Sequence, residues 1–287
     1  MANERRIKRR IKSAKNIAQI TRAMQMVAAS KMRKAQSAAV SGRPYAEKIK
    51  EMVDTFASNI DEAKHPLLGT STAGTPLVIL ISTNKGLLGG LNTSLFRALG
   101  VWFPEGALDR CSFVTLGSKG EHFLSMFKRK LIADFSLRFP FSDSIPALTT
   151  LVTEGYLRHD WNEVFLVYSN FISALRQEPT RKRLLPIAEL THHADRGSAH
   201  TPLEFLVEPS LDEILDPLLF HYLENQIRDA ILEGEASEHS ARMLAMKSAT
   251  DNAKELVGAL TLEYNKARQE KITYEIADMV TARLAVT

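Results

Sequence analysis

Two long stretches without helix-breaking patterns, one at each end of the chain, most constrain how this protein can fold. Residues 7–36 contain neither glycine nor proline, and the stretch from Ser210 to about Ala285 contains one early proline and two glycines. A helix covering the second stretch would be roughly 110 Å long at a rise of 1.5 Å per residue, too long for burial in a compact domain. The two ends therefore predict a shaft, and with it a mechanical or coupling role rather than an enzymatic one.

The N-terminal stretch repeats small or apolar residues at alternating spacings of four and three, as in the seam of a coiled coil. The seam positions are Ile7, Ile11, Ala14, Ala18, Thr21, Gln25, Ala28, Met32, Ala35 and Ala39. A second apolar stripe comprises Ile17, Ile20, Met24 and Val27. One partner helix cannot cover both stripes, so we expect the seam to contact the C-terminal helix and the second stripe to face another protein. The alternative is a helix packed on two sides within one domain.

The positive charge is concentrated at the N-terminus. The whole chain carries a net charge of +4, but residues 1–34 hold 11 Lys and Arg against the single acid Glu4. Such a helix predicts an anionic partner, which is a nucleic acid, lipid head groups or an acidic protein surface. A solvated charged face is the alternative.

The middle of the chain has the pattern of an α/β domain. Short apolar runs alternate with helices of about ten residues, which predicts a largely parallel sheet. The predicted strands cover residues 77–81, 111–116, 131–139, 161–169, 183–187 and 203–207, and the predicted helices cover 92–101, 121–127 and 144–157. The sequence thus divides into an N-terminal helical segment (1–60) with a possible kink at 41–44, a central domain (76–207) and a C-terminal helical segment (210–287).

Candidate chemical sites are weak. The glycine-rich turn at residues 82–90 stands where a phosphate could bind, but it matches neither the P-loop nor the dinucleotide pattern, and 117–120 is weaker still. His192, His193 and His200 lack a carboxylate at ligand spacing, and Cys111, the only cysteine, lies in a predicted buried strand. We therefore expect no catalytic residues, no metal and no cofactor.

No stretch approaches the 18–20 apolar residues of a membrane span, and the basic N-terminus lacks the apolar core of a signal peptide. An organellar transit peptide is the alternative for the N-terminus. The helical pattern runs unbroken into the chain, however, which favours a mature bacterial protein.

Three blocks resemble the gamma subunit family of the F-type ATP synthases. They are the N-terminal stretch 7–36 with its ITRAM and MVAASK motifs, the strand and turn at 82–92, and the C-terminal block from Ser237 through Asn265 to Glu275. The resemblance covers nearly the whole chain and is strongest at the two ends. Thr281-Ala282 stands where the family usually has Gly-Ala, a departure that affects only the final helical turns.

The resemblance implies a long antiparallel coiled coil of the two terminal helices plus a central Rossmann-like α/β domain. It implies a non-catalytic rotor shaft, with alpha, beta, delta and epsilon subunits and the c-ring as partners and no nucleic acid. The complex would hold the chain peripherally at the cytoplasmic face of the bacterial plasma (inner) membrane. A basic nucleic-acid-binding coiled coil and a small α/β enzyme using the turn at 82–90 are the alternatives.

The resemblance also assigns roles to individual residues. Arg268 and Gln269 would meet the beta-subunit loop that grips the shaft, with Met24 beside them on the other helix. Thr273 and Glu275 would belong to the same polar contact zone. Glu208 would lie on the side of the c-ring and epsilon subunit.

Overall fold

The computed structural model describes residues 2–57, 65–69, 73–104, 106–137, 140–187 and 210–286. The strand predicted at 203–207, Glu208 and the three histidines at 192, 193 and 200 lie outside the described residues.

The two terminal stretches are helical, as predicted. Helix α1 covers Ala2–Ala57 and continues through Pro44, so the sequence signal at 41–44 does not end the helix. The C-terminal helix, named α6 in chain order, covers Leu211–Val286 and contains Pro217 in its second turn. Ser210 caps α6 as predicted, because its hydroxyl accepts a hydrogen bond from the Glu213 amide at 3.4 Å.

Between these helices lies a five-stranded sheet. Its strands are β1 (Thr75–Ile81), β2 (Ser112–Leu116), β3 (Lys130–Asp134), β4 (Trp161–Phe171) and β5 (Gln177–Leu185). The spatial order is β3-β2-β1-β4-β5. All neighbouring pairs are parallel except β4 and β5, which form an antiparallel hairpin. The prediction of a largely parallel sheet is confirmed.

Strand β5 begins six residues earlier than the predicted run at 183–187. The first part of β5 is polar and contains Pro179, a pattern that argues against a central strand. Because β5 is an edge strand, a residue without a backbone donor is tolerated there.

Both faces of the sheet are covered. The remaining helices are α2 (Leu91–Trp102), α3 (Ala107–Arg110), α4 (Ser118–Met126) and α5 (Ile145–Leu157), with a 3₁₀ turn at Phe141–Ser144. Alternate residues of β1 face opposite sides, so Val78 and Leu80 pack with α2 and α4, and Leu77 and Ile79 belong to the core formed with α5 and α6. Strand β1 is consequently apolar on both faces.

The chain divides into two compact units. The first, called the coiled-coil unit, comprises Met1–Ala29 and Arg242–Thr287, and the second, called the sheet unit, comprises Ser30–Ala241. Among the described residues, no helix combines the length and apolar character that a membrane-spanning segment needs.

Candidate functional site

The predicted seam of α1 is buried. All ten seam positions are buried or half-buried, whereas Lys8, Lys12 and Lys15 between them are exposed. Ile7 and Ala28 are almost inaccessible to solvent. The four-three spacing therefore identified the packed face of α1 correctly.

Helix α6 carries a matching seam that the sequence reasoning missed. Its positions are Met246, Thr250, Ala253, Val257, Leu260, Tyr264, Ala267 and Lys271, each buried or half-buried. Their spacing also alternates between four and three, and this periodicity was the signal that could have found them. Polar residues at three of the eight positions hide the pattern from a search for apolar residues alone.

Side-chain contacts show that the two helices of the coiled-coil unit run antiparallel. The hydroxyls of Thr21 and Thr250 lie 2.7 Å apart. Glu4 accepts a hydrogen bond from the Tyr264 hydroxyl at 3.1 Å and lies 3.7 Å from the Lys271 ammonium. Residue numbers thus rise along one helix as they fall along the other, and the predicted antiparallel coiled coil is confirmed.

The second stripe of α1 stays on the surface. Ile17, Ile20 and Val27 are 52%, 60% and 57% exposed, and only Met24 is half-buried. Neighbouring Met26 is also exposed. The pairing with α6 therefore leaves an apolar stripe on the coiled-coil unit that is available to another protein.

The C-terminal residues predicted to contact a partner lie on the surface of α6. Arg268, Gln269, Thr273 and Glu275 are all exposed. Thr273 donates a hydrogen bond to the Gln269 carbonyl one turn earlier at 3.0 Å, and Glu275 lies 3.5 Å from Lys271. These contacts order the side chains locally and leave their outer surfaces to solvent.

The expectation that Met24 lies beside Arg268 and Gln269 is wrong. Arg268 lies between the two α6 residues that contact Glu4, whereas Met24 lies one turn from Thr21 and its partner Thr250. Glu4 and Met24 are separated by roughly 30 Å along α1. The antiparallel register therefore forms two separate surfaces, one around Met24 and one around Arg268.

The last described turns of α6 have no covered face. Every residue from 272 to 283 is exposed. Large apolar side chains recur there, with Ile272, Ile276, Met279 and Val280 all more than 40% exposed. Buried seam positions stop at Lys271, so this end of α6 presents apolar surface on its own.

Helix α1 presents cations on both sides of its seam. Arg5, Arg6, Lys8, Arg9, Arg10, Lys12 and Lys15 are all exposed. Glu4, the single acid of residues 1–34, is engaged by Tyr264 and Lys271 of α6. The coiled-coil unit therefore keeps a positive surface near the start of the chain, which suits an acidic partner.

Side chains at the start of the glycine-rich turn between β1 and α2 form hydrogen bonds with neighbouring parts of the sheet unit. The Asn84 carboxamide accepts a hydrogen bond from the Ser118 amide at 2.8 Å and donates one to the Ser136 carbonyl at 3.1 Å. The Ser82 hydroxyl accepts from the Gly120 amide at 2.8 Å. Amides at the start of α4 that would face a phosphate thus have intramolecular partners.

Other chemical sites find no support in the parts of the chain that the structure describes. There, no group of three His, Cys, Asp or Glu residues is placed to hold a metal ion. Cys111 is buried, and burial raises the pKa of its thiol to about 11, so it stays a protonated and unreactive thiol at neutral pH.

The sheet unit contains a buried polar cluster around α6. The Tyr168 hydroxyl donates a hydrogen bond to the Glu233 carboxylate, and Asp229 lies one turn away. Burial raises the pKa of both carboxyls above their usual range, although the ammonium of Lys182 opposes the shift. Charged forms of these acids are therefore costly in the folded protein.

Comparison with known proteins gives a consistent result. A family model described as ATP synthase matches residues 3–286. Proteins named ATP synthase gamma chain from Methylacidiphilum infernorum and Akkermansia muciniphila are 43% and 41% identical to this chain, and each match covers 100% of both chains.

Solved structures share the fold. A chain from the OSCP/F1/c-ring structure of Euglena gracilis mitochondrial ATP synthase gives a TM-score of 0.69 at 20% identity, covering 99% of this chain and 95% of that one. A chain from the central stalk and c-ring structure of Tetrahymena thermophila mitochondrial ATP synthase gives 0.59 at 26% identity, covering 80% and 99%.

Proposed function

This chain belongs to the ATP synthase gamma chain family, and we propose that it is the central rotor shaft of an F-type ATP synthase. As a gamma chain it is a non-catalytic subunit, and the catalytic sites belong to the beta subunits. Its task is to couple rotation of the c-ring to conformational changes in those sites, for synthesis in one direction and for hydrolysis in the other.

The observation that carries this proposal is the coiled-coil unit. Its seam is closed between α1 and α6, yet an apolar stripe, a cationic surface and an uncovered helix end remain on the outside. A helix pair with this much exposed apolar surface needs a surrounding protein. A ring of alternating alpha and beta subunits is such a sleeve.

Coupling follows from the asymmetry of this surface. Ion flow turns the c-ring, the shaft turns with it, and each beta subunit in turn faces a different side of the shaft. Apolar residues such as Ile20 and cations such as Lys8 lie on different sides of α1 and at different heights along it, so the contact with each beta subunit changes with the angle of the shaft. A contact that differs between conformations of beta shifts their populations and hence their nucleotide affinities.

Within this function we assign two contact zones for the beta subunits. Arg268 and Gln269 offer the charged and amide donors that suit an acidic loop, with Thr273 and Glu275 one to two turns further along α6. Met24 belongs to a second zone about 30 Å away along the shaft. Glu208 is assigned to the side of the c-ring and epsilon subunit by its match to the family pattern alone.

The cellular location of the chain follows from its place in the ATP synthase complex. The chain is peripheral to the membrane and is held there through the c-ring and the epsilon and delta subunits of the complex. The matched relatives from bacteria cover the whole chain, which supports the cytoplasmic face of a bacterial inner membrane.

The decisive experiment is reconstitution. The chain is co-expressed with the alpha, beta, delta and epsilon subunits of its own organism and joined to membranes stripped of these subunits. We expect co-purification with alpha and beta and restored ATP-driven proton pumping. A chain that fails to co-purify, or a complex that pumps equally well without it, would contradict the proposal.

The contact zone at Arg268 is tested in the same complex. Arg268→Ala with Gln269→Ala removes the donors at the grip, and we expect proton pumping to fall while the complex still assembles. Arg158→Ala is the matched control, because Arg158, the residue that follows α5, is an exposed arginine that pairs with Glu154 one turn earlier at 2.7 Å. Equal pumping by the two variants would refute the assignment.

A further inference from the structure

The sheet unit has the crevice in which other α/β proteins bind ligands. The strand order is β3-β2-β1-β4-β5, so the connections run outward in opposite directions from β1. In open α/β sheets, ligands bind beyond the carboxyl ends of the strands where the order reverses. Here that point lies between the ends of β1 and β4, next to Ile81 and Ser169.

Helix α6 occupies this crevice. A side chain added to Gly234 would lie 3.2 Å from a methyl group of Ile81, so only glycine lets the two backbones approach without adjustment. The cavity that remains beside them measures about 10 Å³, which is no larger than a single water requires. Glycine inside a helix is less favourable than alanine, and the close approach to Ile81 explains its presence at this position.

Two serines of α6 reach across to the sheet. The Ser237 hydroxyl donates to the Ser169 carbonyl at 2.8 Å, and Ser237 is completely buried. The Ser240 hydroxyl donates to the Ala174 carbonyl at 2.6 Å and accepts from the Gln177 side chain at 3.2 Å. Serine inside a helix commonly bonds back to its own helix, as Thr250 does to Met246 at 2.7 Å. Ser237 and Ser240 instead bind the β4–β5 hairpin.

These hydrogen bonds add resistance to rotation of α6 about its own axis. Burial of apolar surface is non-directional, so apolar packing alone specifies the rotation of a helix less sharply than hydrogen bonds do. Hydrogen bonds depend on angle and weaken steeply when they are misaligned. Residues 237 and 240 lie three apart on one face of α6, so together they fix its rotation against the sheet.

We propose that Gly234, Ser237 and Ser240, called here the serine anchor, form the joint through which the α/β domain passes torque to the shaft helix. Gly234 lets α6 sit in the crevice, and the two serines are positioning residues that stop it from rolling. The inference rests on the proposed rotor function, and it adds a mechanical role for the crevice that a ligand fills elsewhere.

The test measures torsional stiffness in the assembled complex. Leu137→Cys, at a side chain that is 96% exposed, supplies a single reactive thiol for a bead, because the native cysteine is buried. With the alpha–beta ring fixed to a surface and no nucleotide present, thermal fluctuations of the bead report the stiffness between the α/β domain and the gripped shaft. In the Ser237→Ala, Ser240→Ala double variant we expect the angular variance to rise about twofold, since the two directional hydrogen bonds that fix the rotation of α6 are lost. We expect unchanged ATP hydrolysis by the unloaded complex.

The matched control is Ser248→Ala, which removes an exposed hydroxyl from α6 outside the anchor. An angular variance in the double variant equal to that of Ser248→Ala would overturn the proposal and leave the rotor function intact. If the double variant does not assemble, Ser240→Ala alone is measured by the same criterion. Failure of the unsubstituted chain to assemble would instead contradict the proposed function.

Discussion

At the scale of single residues, two helical glycines differ in what surrounds them. An added side chain at Gly258 of α6 would meet no atom within 4 Å, whereas one at Gly155 of α5 would lie 1.9 Å from the Trp161 indole nitrogen. Gly258→Ala should therefore stabilise the coiled-coil unit by about 1 kcal/mol through helix propensity alone. Thermal unfolding followed by circular dichroism measures the gain.

The contrasting variant is Gly155→Ala. The clash with Trp161 forces the helix or the indole to move, and overpacking of this kind costs about 1–3 kcal/mol. A lower unfolding temperature is expected. Equal shifts for the two alanine variants would show that propensity, and not packing, governs both positions.

Met24 is the residue at which a new charge is most informative. Lys247 lies within one turn of Thr250 on the facing helix, and Arg22 is exposed two residues away on α1. Met24→Lys adds a cation to this surface, so we expect fewer protons pumped per ATP hydrolysed at normal assembly. Met24→Leu conserves volume and should couple normally. A normal ratio in Met24→Lys would contradict the assignment.

At the scale of secondary-structure elements, α6 carries a pH-sensitive section. Burial raises the pKa of Glu233 above its ordinary value of 4.5, so the folded state binds the proton more tightly than the unfolded state. This contribution to stability is complete below about pH 4.5 and is lost as the pH rises through the higher folded pKa.

Glu233→Gln removes the loss of stability that ionisation of Glu233 causes, and its amide oxygen still accepts a hydrogen bond from Tyr168. We expect the variant to gain stability over the unsubstituted chain as the pH rises from 4.5 to 7, measured by urea unfolding at several pH values. Glu263→Gln, at an exposed carboxylate of the same helix, is the control. A difference that stays constant with pH would show that the charge of Glu233 does not matter.

Elements also show which features the sequence could predict. The seam of α1 was predictable because one face of that helix is buried or half-buried along the whole seam, so small and apolar residues recur there at regular spacing. Helix α6 packs on the sheet near Leu223 and on α1 near Leu260, and two overlapping patterns obscure each other. The start of β5 was hidden because an edge strand tolerates Pro179 and charged residues.

Site residues were predictable by type and exposure but not by placement. Resemblance identified Met24 and Arg268 on opposite helices, but adjacency depends on the register between helices, which no single-helix pattern specifies. The register became clear only from contacts such as Thr21 with Thr250. The contacts of Gly234, Ser237 and Ser240 with the sheet could not be predicted either, because a small residue in a helix does not indicate which surface it approaches.

At the scale of the whole molecule, the two compact units should unfold separately. The coiled-coil unit is held by a seam rich in alanine, whereas the sheet unit has a core of large apolar residues on two faces. We expect two transitions on heating, with the coiled-coil unit melting first.

The two tryptophans make this prediction measurable. Trp102 and Trp161, the only two in the chain, both belong to the sheet unit. Helix content at 222 nm should therefore fall before tryptophan fluorescence changes, and Gly258→Ala should move the first transition alone. Superimposable curves from the two probes would mean that the chain unfolds as one cooperative unit.

The two segments of the coiled-coil unit are far apart in the sequence, so they are synthesised at different times. The unit joins Met1–Ala29 to Arg242–Thr287, and the first of these segments is synthesised well before the second. At a translation rate of roughly 5–20 residues per second, the nascent N-terminal helix waits on the order of tens of seconds for its partner. Throughout that time its cations and both apolar stripes are exposed and can contact chaperones, ribosomal RNA and other nascent chains. This helix is therefore the segment of the protein that most needs a chaperone during synthesis.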